Sequence, residues 1–305
     1  MLHRFSPSEL ISIRLRKILF STDFSPTSAV ALPYAAAIAR HFGSTIYVVH
    51  VITPEENNDL EPAQRNVVLQ KMRQQAERRT QDLLRSSHFA NVPHQVVLDE
   101  GDLETVLSSV VRKEEIDLIV AGTHGRHGLG KLLTGSVAEE ISEIMSVPIL
   151  LVGPEIVVSP QAEVRVDRIL YATDFSPESR MAMDFAYMLA QKYRARLYFL
   201  HVAENIWQEP LSTRMAAGDF ITLRLLERGW REHPNGVEIE FLVDFGAPES
   251  LILEAADKLA IQLVVLGIAE SSHPHLAAHL PGPLAYNVAS HARSPVLIVP
   301  AITKA

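Results

Sequence analysis

A glycine-rich segment is the part of this sequence whose residue types and spacing best suit ligand chemistry. Five glycines lie in the fourteen residues from Gly122 to Gly135, after an apolar run and before a helical one. Such a density indicates that the backbone approaches another group closely or takes positive φ. Backbone N–H groups of this loop, Ser136 and Val137 would hold anionic oxygens at the positive end of a helix dipole, and Arg126 and Lys131 add positive charge nearby. A flexible loop without a ligand is the alternative.

Two common phosphate motifs do not account for this loop. Residues 125–132 read GRHGLGKL, which departs from the P-loop pattern at its last position, because Leu132 cannot bring a hydroxyl to Mg²⁺. The order G-x-x-G-x-G at 125–130 also differs from the dinucleotide fingerprint G-x-G-x-x-G. The spacing that remains is G-x₂-G-x₉-G-[ST], from Gly122 through Gly125 to Gly135 and Ser136.

The composition excludes several classes of protein. Lys and Arg total 28 against 36 Asp and Glu, so the net charge is −8. The chain has no excess of basic residues with which to bind a phosphate backbone, and we expect no nucleic-acid partner. The chain has no cysteine, which excludes disulfides and thiolate nucleophiles. No apolar run approaches the roughly 18 residues of a membrane span, and no signal peptide is evident. We therefore expect a cytoplasmic protein with no membrane contact.

The elements that would position the glycine loop alternate between short apolar runs and longer helical ones. Strands are predicted near 17–22, 45–51, 94–98, 117–121 and 148–152. Helices are predicted in the gaps, at 62–86 and 102–115 among others, and Ser25 with Pro26 is a capping pair for the first. Pro33 lies where it should kink that first helix. Alternation of this kind predicts an α/β fold with a parallel sheet and helices on both faces.

The chain repeats itself once. Residues 17–26 read KILFSTDFSP and residues 168–177 read RILYATDFSP, identical at seven of ten positions. Three further pairs of segments follow in the same order, YVVHV with YFLHV, DLIVAG with QLVVLG and VPILLV with SPVLIV. Two copies of this length indicate a domain duplication and not a solenoid. We predict one domain in residues 1–155 and a second in residues 160–305.

Both copies resemble universal stress protein domains, through TDFS after strand one, HV at the end of strand two, the glycine motif and a proline before strand five. The resemblance covers residues 17–152 and 168–299. It implies two tandem open five-stranded parallel sheets of strand order 3-2-1-4-5, with helices on both faces. It also implies ATP as the ligand, with Mg²⁺ left open. The site residues that it implies are Asp23 at the adenine or ribose, the Val51 backbone at the adenine, Gly122 by the ribose, and Gly125, Gly135, Ser136 and Val137 at the phosphates, beside Arg126.

The strand order supports part of this assignment independently. Ligands of open α/β sheets bind at the carboxyl ends of strands where the order reverses, which in 3-2-1-4-5 lies between strands one and four. Asp23 follows strand one and Gly122 ends strand four, so we expect both in one crevice. Asp23 has a second interpretation as a turn or capping residue before Ser25, because Asp174 repeats it in the other copy.

The second copy lacks most of the glycine motif. Gly267 is kept, but Glu270 replaces the next glycine and would repel phosphate, and Gly282 with Pro283 stands in place of the Gly-Ser pair. Proline there removes a hydroxyl and a backbone N–H, so we expect this copy not to bind ATP. Three histidines in its loop have a spacing that could bind a metal: His273, His275 and His279. We predict instead a polar loop that binds no metal.

No constellation of an efficient enzyme is evident, since the chain has neither a G-x-S-x-G elbow nor an H-E-x-x-H motif. His124 and His127 in the glycine loop suit phosphate binding more than catalysis, and His50 and His201 suit packing. We predict no catalytic residue. The predicted function is an ATP-binding stress-response or signalling module. The alternatives are a slow ATPase or phosphotransferase, and an interaction scaffold without nucleotide.

The final strand of each copy, at 148–152 and 295–299, is an apolar edge with backbone groups open to pairing. Covalent linkage holds the two copies at high effective concentration, so we predict that these edges pair within one chain. A homodimer through other surfaces is left open.

Overall fold

The computed structural model describes residues 13–53, 62–123, 146–157, 164–175, 179–203, 236–268 and 283–301, together with 212 and 219. These residues form two compact units, the first made of residues 14–164 and the second mostly of residues from 165 onward. Within the described part, no helix combines the length and the apolar character that a membrane crossing needs. The domain limits 1–155 and 160–305 stay predictions.

Five parallel strands form the N-terminal unit: β1 (Lys17–Ser21), β2 (Thr45–Ile52), β3 (His94–Glu100), β4 (Leu118–Gly122) and β5 (Ile149–Val152). β1 pairs with β2 and β4, β2 with β3, and β4 with β5. The order β3-β2-β1-β4-β5 confirms the predicted 3-2-1-4-5 in this unit. Ile18, Leu19 and Phe20 are fully buried, as expected of a central parallel strand that is covered on both faces.

The α-helices described between these strands are α1 (Pro26–Ala29), α2 (Leu32–Phe42), α3 (Pro62–Leu84) and α4 (Leu103–Glu114). Ser25 caps α1, because its side chain accepts a hydrogen bond from the Ser28 N–H at 3.1 Å. Pro33 interrupts this helix, as its position predicts, and the break begins after Ala29, whose carbonyl Pro33 would have to bond in a continuous helix. The chain leaves the helix after α1 and restarts it at Leu32, which puts Pro33 in a first turn, where proline is tolerated.

The C-terminal unit repeats the arrangement with five parallel strands: β6 (Arg168–Ala172), β7 (Arg196–Ala203), β8 (Ile239–Phe245), β9 (Leu263–Ile268) and β10 (Val296–Pro300). β6 pairs with β7 and β9, β7 with β8, and β9 with β10, so the order is again 3-2-1-4-5. Its described helices are α5 (Ser179–Tyr193), α6 (Pro248–Lys258) and α7 (Pro283–His291).

The duplication extends to hydrogen bonds at the amino ends of the strands. In the N-terminal unit Asp117 Oδ2 accepts from the Lys17 backbone N–H at 2.9 Å. In the C-terminal unit Gln262 Oε1 accepts from the Arg168 backbone N–H at 2.8 Å. A neutral amide thus replaces a carboxylate while the contact between first and fourth strand stays the same. The two units therefore keep the same contact between strands although the side chain that makes it differs.

Candidate functional site

The carboxyl ends of β1 and β4 lie side by side at the point where the strand order of the N-terminal unit reverses. Phe20 of β1 is in register with Val120 of β4, and β2 and β5 flank the pair on opposite sides. Asp23 follows β1 by two residues, and Gly122 is the last residue of β4. The structure therefore places both predicted residues at the same edge, where open α/β sheets bind ligands.

The chain turns sharply after β1, and a buried hydroxyl holds the turn. Phe24 has a φ of 58°, in the left-handed region that costs a non-glycine residue roughly 1–2 kcal/mol. The Thr22 Oγ1 accepts from the Phe24 N–H at 3.0 Å and bonds to the Ser28 Oγ at 3.0 Å. This network ties the turn to α1. It makes the chain leave the sheet immediately after β1, while β2 continues.

His50 fixes the same turn to β2. Its Nδ1 lies 2.8 Å from the Thr22 carbonyl oxygen, which only accepts, so Nδ1 carries a proton and donates. The imidazole also packs on the Phe24 ring, with a centroid distance of 4.5 Å. His50 therefore positions the turn, in agreement with a packing role.

Asp23 belongs to the turn and also presents a carboxylate at the edge of the sheet. Its Oδ1 accepts from the Ser25 N–H at 2.9 Å, while the Oδ2 is buried. The helix cap itself is Ser25, so Asp23 stabilises the turn and does not cap α1. An ionised carboxylate has about four acceptor sites, so the turn uses only part of its capacity.

Val51 presents a backbone donor and acceptor beside this turn. The register of β1 with β2 ends at Ser21 opposite Val49, and the Thr22 N–H reaches the Val49 carbonyl at 3.0 Å. Alternate residues of a strand point their backbone groups to the same side, so the N–H and C=O of Val51 point the same way as those of Val49, past the end of β1. The predicted use of the Val51 backbone therefore has a geometric basis.

Gly122 is required by packing, which sequence reasoning missed. A Cβ built at this position would lie 2.9 Å from the Thr27 carbonyl oxygen and 3.2 Å from its carbonyl carbon, both in the backbone of α1. Gly267 in the C-terminal unit is equally close to α5, at 2.8 Å from the Ser179 Cα. The repetition of a glycine at this place in both copies is the sequence signal that could have indicated this close approach. A ribose contact at Gly122 stays a prediction.

The other predicted site residues lie outside the described part of the chain. They are Gly125, Arg126, Gly135, Ser136 and Val137. The same holds for the five histidines of the two loops and for Glu270, whereas His291 and Pro283 are described in α7. Pro283 begins α7, so the first residue of that helix has no N–H.

The turn after β6 in the C-terminal unit reproduces the turn after β1. Thr173 Oγ1 lies 3.1 Å from the Ser179 Oγ and accepts from the Phe175 N–H at 3.0 Å. Phe175 has a φ of 63°, and the His201 Nδ1 donates to the Thr173 carbonyl at 2.8 Å. The Thr-x₅-Ser spacing, present in both copies, is the sequence signal for this network.

Tyr171 distinguishes the C-terminal unit, because the N-terminal counterpart is Phe20. Its hydroxyl is buried and donates to the Ser179 carbonyl at 2.7 Å. Burial raises the pKa of Tyr171. This tyrosine stays protonated at neutral pH and adds a second tie between β6 and α5.

Comparison with known proteins finds one family that matches both halves of the chain. The universal stress protein family matches the chain twice, at residues 14–153 and 165–300. A universal stress protein of Mycolicibacterium smegmatis is 26% identical over 302 residues, covering 92% of this chain and 96% of that protein. A universal stress protein structure from Archaeoglobus fulgidus DSM 4304 has a TM-score of 0.66 at 19% identity, covering 95% of this chain and 97% of that one. A universal stress protein solved in complex with cAMP is 25% identical, with a TM-score of 0.32, and covers 45% of this chain and 99% of that one.

Two α/β units with the same strand order and the same strand-end turn define a tandem protein of one duplicated domain. The chain belongs to the universal stress protein family.

Proposed function

We propose that the protein is an ATP-binding stress-response or signalling module whose N-terminal domain binds one ATP. The observation that carries this proposal is the backbone of Val51, whose N–H and C=O point past the end of β1, the strand that Asp23 follows by two residues. Adenine has an amino donor beside a ring-nitrogen acceptor, so the C=O and N–H of one residue can satisfy both groups. A carboxylate at the switch point suits the hydroxyls of a ribose.

The phosphate half of the proposal comes from the sequence after β4. Gly125, Gly135, Ser136 and Val137 would hold the phosphates through backbone N–H groups, and Arg126 and Lys131 would add charge. Mg²⁺ is left open as a companion of ATP. The C-terminal domain has Glu270 in its loop and Pro283 at the start of α7, so we propose that it does not bind ATP.

Asp23 and Asp174 give a matched test of this proposal, because they occupy equivalent turns. Asp23→Ala removes a charged hydrogen-bond partner of the ribose, worth about 1.5–3 kcal/mol, and should weaken ATP roughly 10–100-fold in a calorimetric titration. Asp174→Ala should leave ATP affinity and a stoichiometry of one per chain unchanged.

A purely structural role of Asp23 in its turn makes a different prediction for the same two variants. If Asp23 only stabilises its turn, both variants lose about 0.5–2 kcal/mol of stability and ATP affinity stays at the wild-type value. Two equivalent ATP sites in the wild-type chain would contradict the assignment to the N-terminal domain. Acid extraction and chromatography of the purified protein separates a nucleotide-binding module from a scaffold that carries no nucleotide.

A further inference from the structure

β3 lies at one end of the strand order of the N-terminal unit, and among the described residues it pairs with β2 alone. At its start the Pro93 carbonyl accepts from the Ile46 N–H at 2.8 Å. At its end the Gly101 N–H donates to the Ile52 carbonyl at 3.1 Å. Because alternate residues of a strand point their backbone groups the same way, the odd-numbered residues of β3 face β2. The even-numbered residues of β3 direct their N–H and C=O away from the sheet.

This outer edge of β3 has properties that favour pairing with another strand. Four residues direct their backbone groups to it: His94, Val96, Leu98 and Glu100. Val96 is exposed, although valine is apolar and favours strands. Open edges of this kind are templates for association between chains, and proteins commonly block them with a charged side chain.

Arg73 of α3 places such a charge on the outer edge of β3. Its Nη2 donates to the Leu98 carbonyl at 3.2 Å, and its Nη1 lies 3.6 Å from the Glu100 Oε1. The guanidinium therefore occupies the position from which the N–H of an incoming strand would donate to Leu98. The ion pair helps to hold it there. The carboxylate is not repeated in the C-terminal unit, because Phe245 of β8 takes the position of Glu100.

A second copy of this chain offers a strand that complements β3. Antiparallel pairing of two β3 strands about a two-fold axis at Val97 uses all seven residues of the strand and joins their outward backbone groups. This register places three pairs of residues opposite each other: His94 and Glu100, Gln95 and Asp99, and Val96 and Leu98. Carboxylates then face an imidazole and an amide, apolar side chains face one another, and no two carboxylates are directly opposed.

We propose that Arg73 keeps the outer edge of β3 closed to β3 of a second copy of this chain. In the antiparallel register the Leu98 carbonyl accepts from the Val96 N–H of the other copy, so the guanidinium must first leave that oxygen. The two-fold axis also brings the two Arg73 side chains near each other, and like charges repel. Removal of Arg73 therefore exposes a surface for self-association that the wild-type chain blocks.

Sedimentation equilibrium of the full chain tests this proposal with two matched arginine variants. We expect Arg73→Ala to associate about 10-fold more strongly than the wild type, because a charged hydrogen bond that competes with pairing is lost. Arg78→Ala should sediment as the wild type does, since the Arg78 Nε donates to the Gln74 carbonyl within α3. Adding Val96→Pro to Arg73→Ala removes an outward N–H and keeps the ladder with β2, so it should restore the wild-type mass.

A disulfide reports the register, because the chain has no cysteine of its own. In the Arg73→Ala chain, Val97→Cys should give disulfide-linked dimers under mild oxidation. The two copies of residue 97 would be opposed with Cα atoms about 4.5 Å apart, which a disulfide can span. Gln95→Cys is the control, because its two copies would be separated by roughly 13 Å along the strands.

Three results would overturn the proposal. The first is an Arg73→Ala chain that associates no more strongly than the wild type over the same range of concentrations. The second is association of Arg73→Ala that Val96→Pro leaves intact, since the contact would then lie elsewhere on the molecule. The third is equal cross-linking of Val97→Cys and Gln95→Cys, which is incompatible with the antiparallel register.

Discussion

Gly122 has two possible reasons to be a glycine, and they predict different phenotypes. A Cβ there would meet the Thr27 backbone of α1 at 2.9 Å, and backbone atoms cannot move aside as a flexible side chain can. We expect Gly122→Ala to destabilise the N-terminal domain by about 1–3 kcal/mol in urea unfolding, as overpacking does. Gly267→Ala should act in the same way on the C-terminal domain, where the contact is 2.8 Å. Normal stability of Gly122→Ala with reduced ATP affinity would mean that only the ligand needs the glycine.

The Val51 backbone can be tested by a substitution that removes its N–H. Val51→Pro deletes the donor that points past β1 and keeps the ladder with β3, because the groups of the neighbouring Ile52 face β3. ATP should bind about 3–10-fold more weakly in a calorimetric titration, as for one lost hydrogen bond, and thermal stability should fall because the Val51 side chain is buried. Ile52→Pro is the contrast, since it removes a ladder donor and should destabilise the domain. An unchanged ATP affinity in Val51→Pro would exclude the N–H as a contact to the base.

Sequence alone places Asp23 and Gly122 at one edge, because element order and strand order suffice for that. It does not show that Val51 points its backbone groups past β1, which depends on where the β1–β2 register ends. It also does not predict a left-handed Phe24, since phenylalanine has no preference for positive φ. These features arise from contacts between elements that are distant in sequence. Motifs can therefore assign individual residues to the site, but they do not predict the direction in which the backbone groups of those residues point.

At the scale of elements, the end of the first long helix differs between the copies. Gly43 ends α2 with a φ of 70°, and Arg194 takes the equivalent place after α5 with a φ of 54°. The left-handed conformation costs a side chain but not a glycine. We expect Arg194→Gly to stabilise the C-terminal domain by about 1 kcal/mol, and Gly43→Arg to destabilise the N-terminal domain by a similar amount.

Thermal or urea unfolding that resolves the two domains measures both of these changes. The exchange is its own control, because each domain receives the residue that the other has. Opposite signs in the two domains are expected. A loss of stability in Arg194→Gly would show that the arginine side chain contributes more than the backbone strain removes.

Helix and strand limits are the part of the fold that sequence patterns predict well. The polar helix predicted at 62–86 is α3, Pro62–Leu84, and the one predicted at 102–115 is α4, Leu103–Glu114. Pro33 predicts an interruption of the first helix, but the sequence does not show that the break falls at Val30 and Ala31.

At the scale of the whole molecule, the last strand of each unit pairs with another strand of that unit on one side only. β5 pairs there with β4, and β10 with β9. Both are short and wholly apolar apart from the terminal Pro300, so exposure of their outer edges would invite association. Linkage within one chain raises the effective concentration of one edge for the other. We therefore predict that β5 and β10 pair with each other within a single chain.

Leu150→Asp combined with Leu297→Asp tests this pairing, because a charge on each apolar strand is costly to bury. The radius of gyration from solution scattering should increase, with the mass unchanged at that of one chain if the wild type is monomeric. Val96→Asp on β3, the strand at the opposite end of the N-terminal order, is the matched control and should leave the scattering curve unaltered. Far-UV circular dichroism and ATP binding verify that the domains of the double variant stay folded. The prediction would be wrong if the two domains of the wild-type chain are already apart in solution. It would also be wrong if the only effect of the double substitution is that an oligomer dissociates.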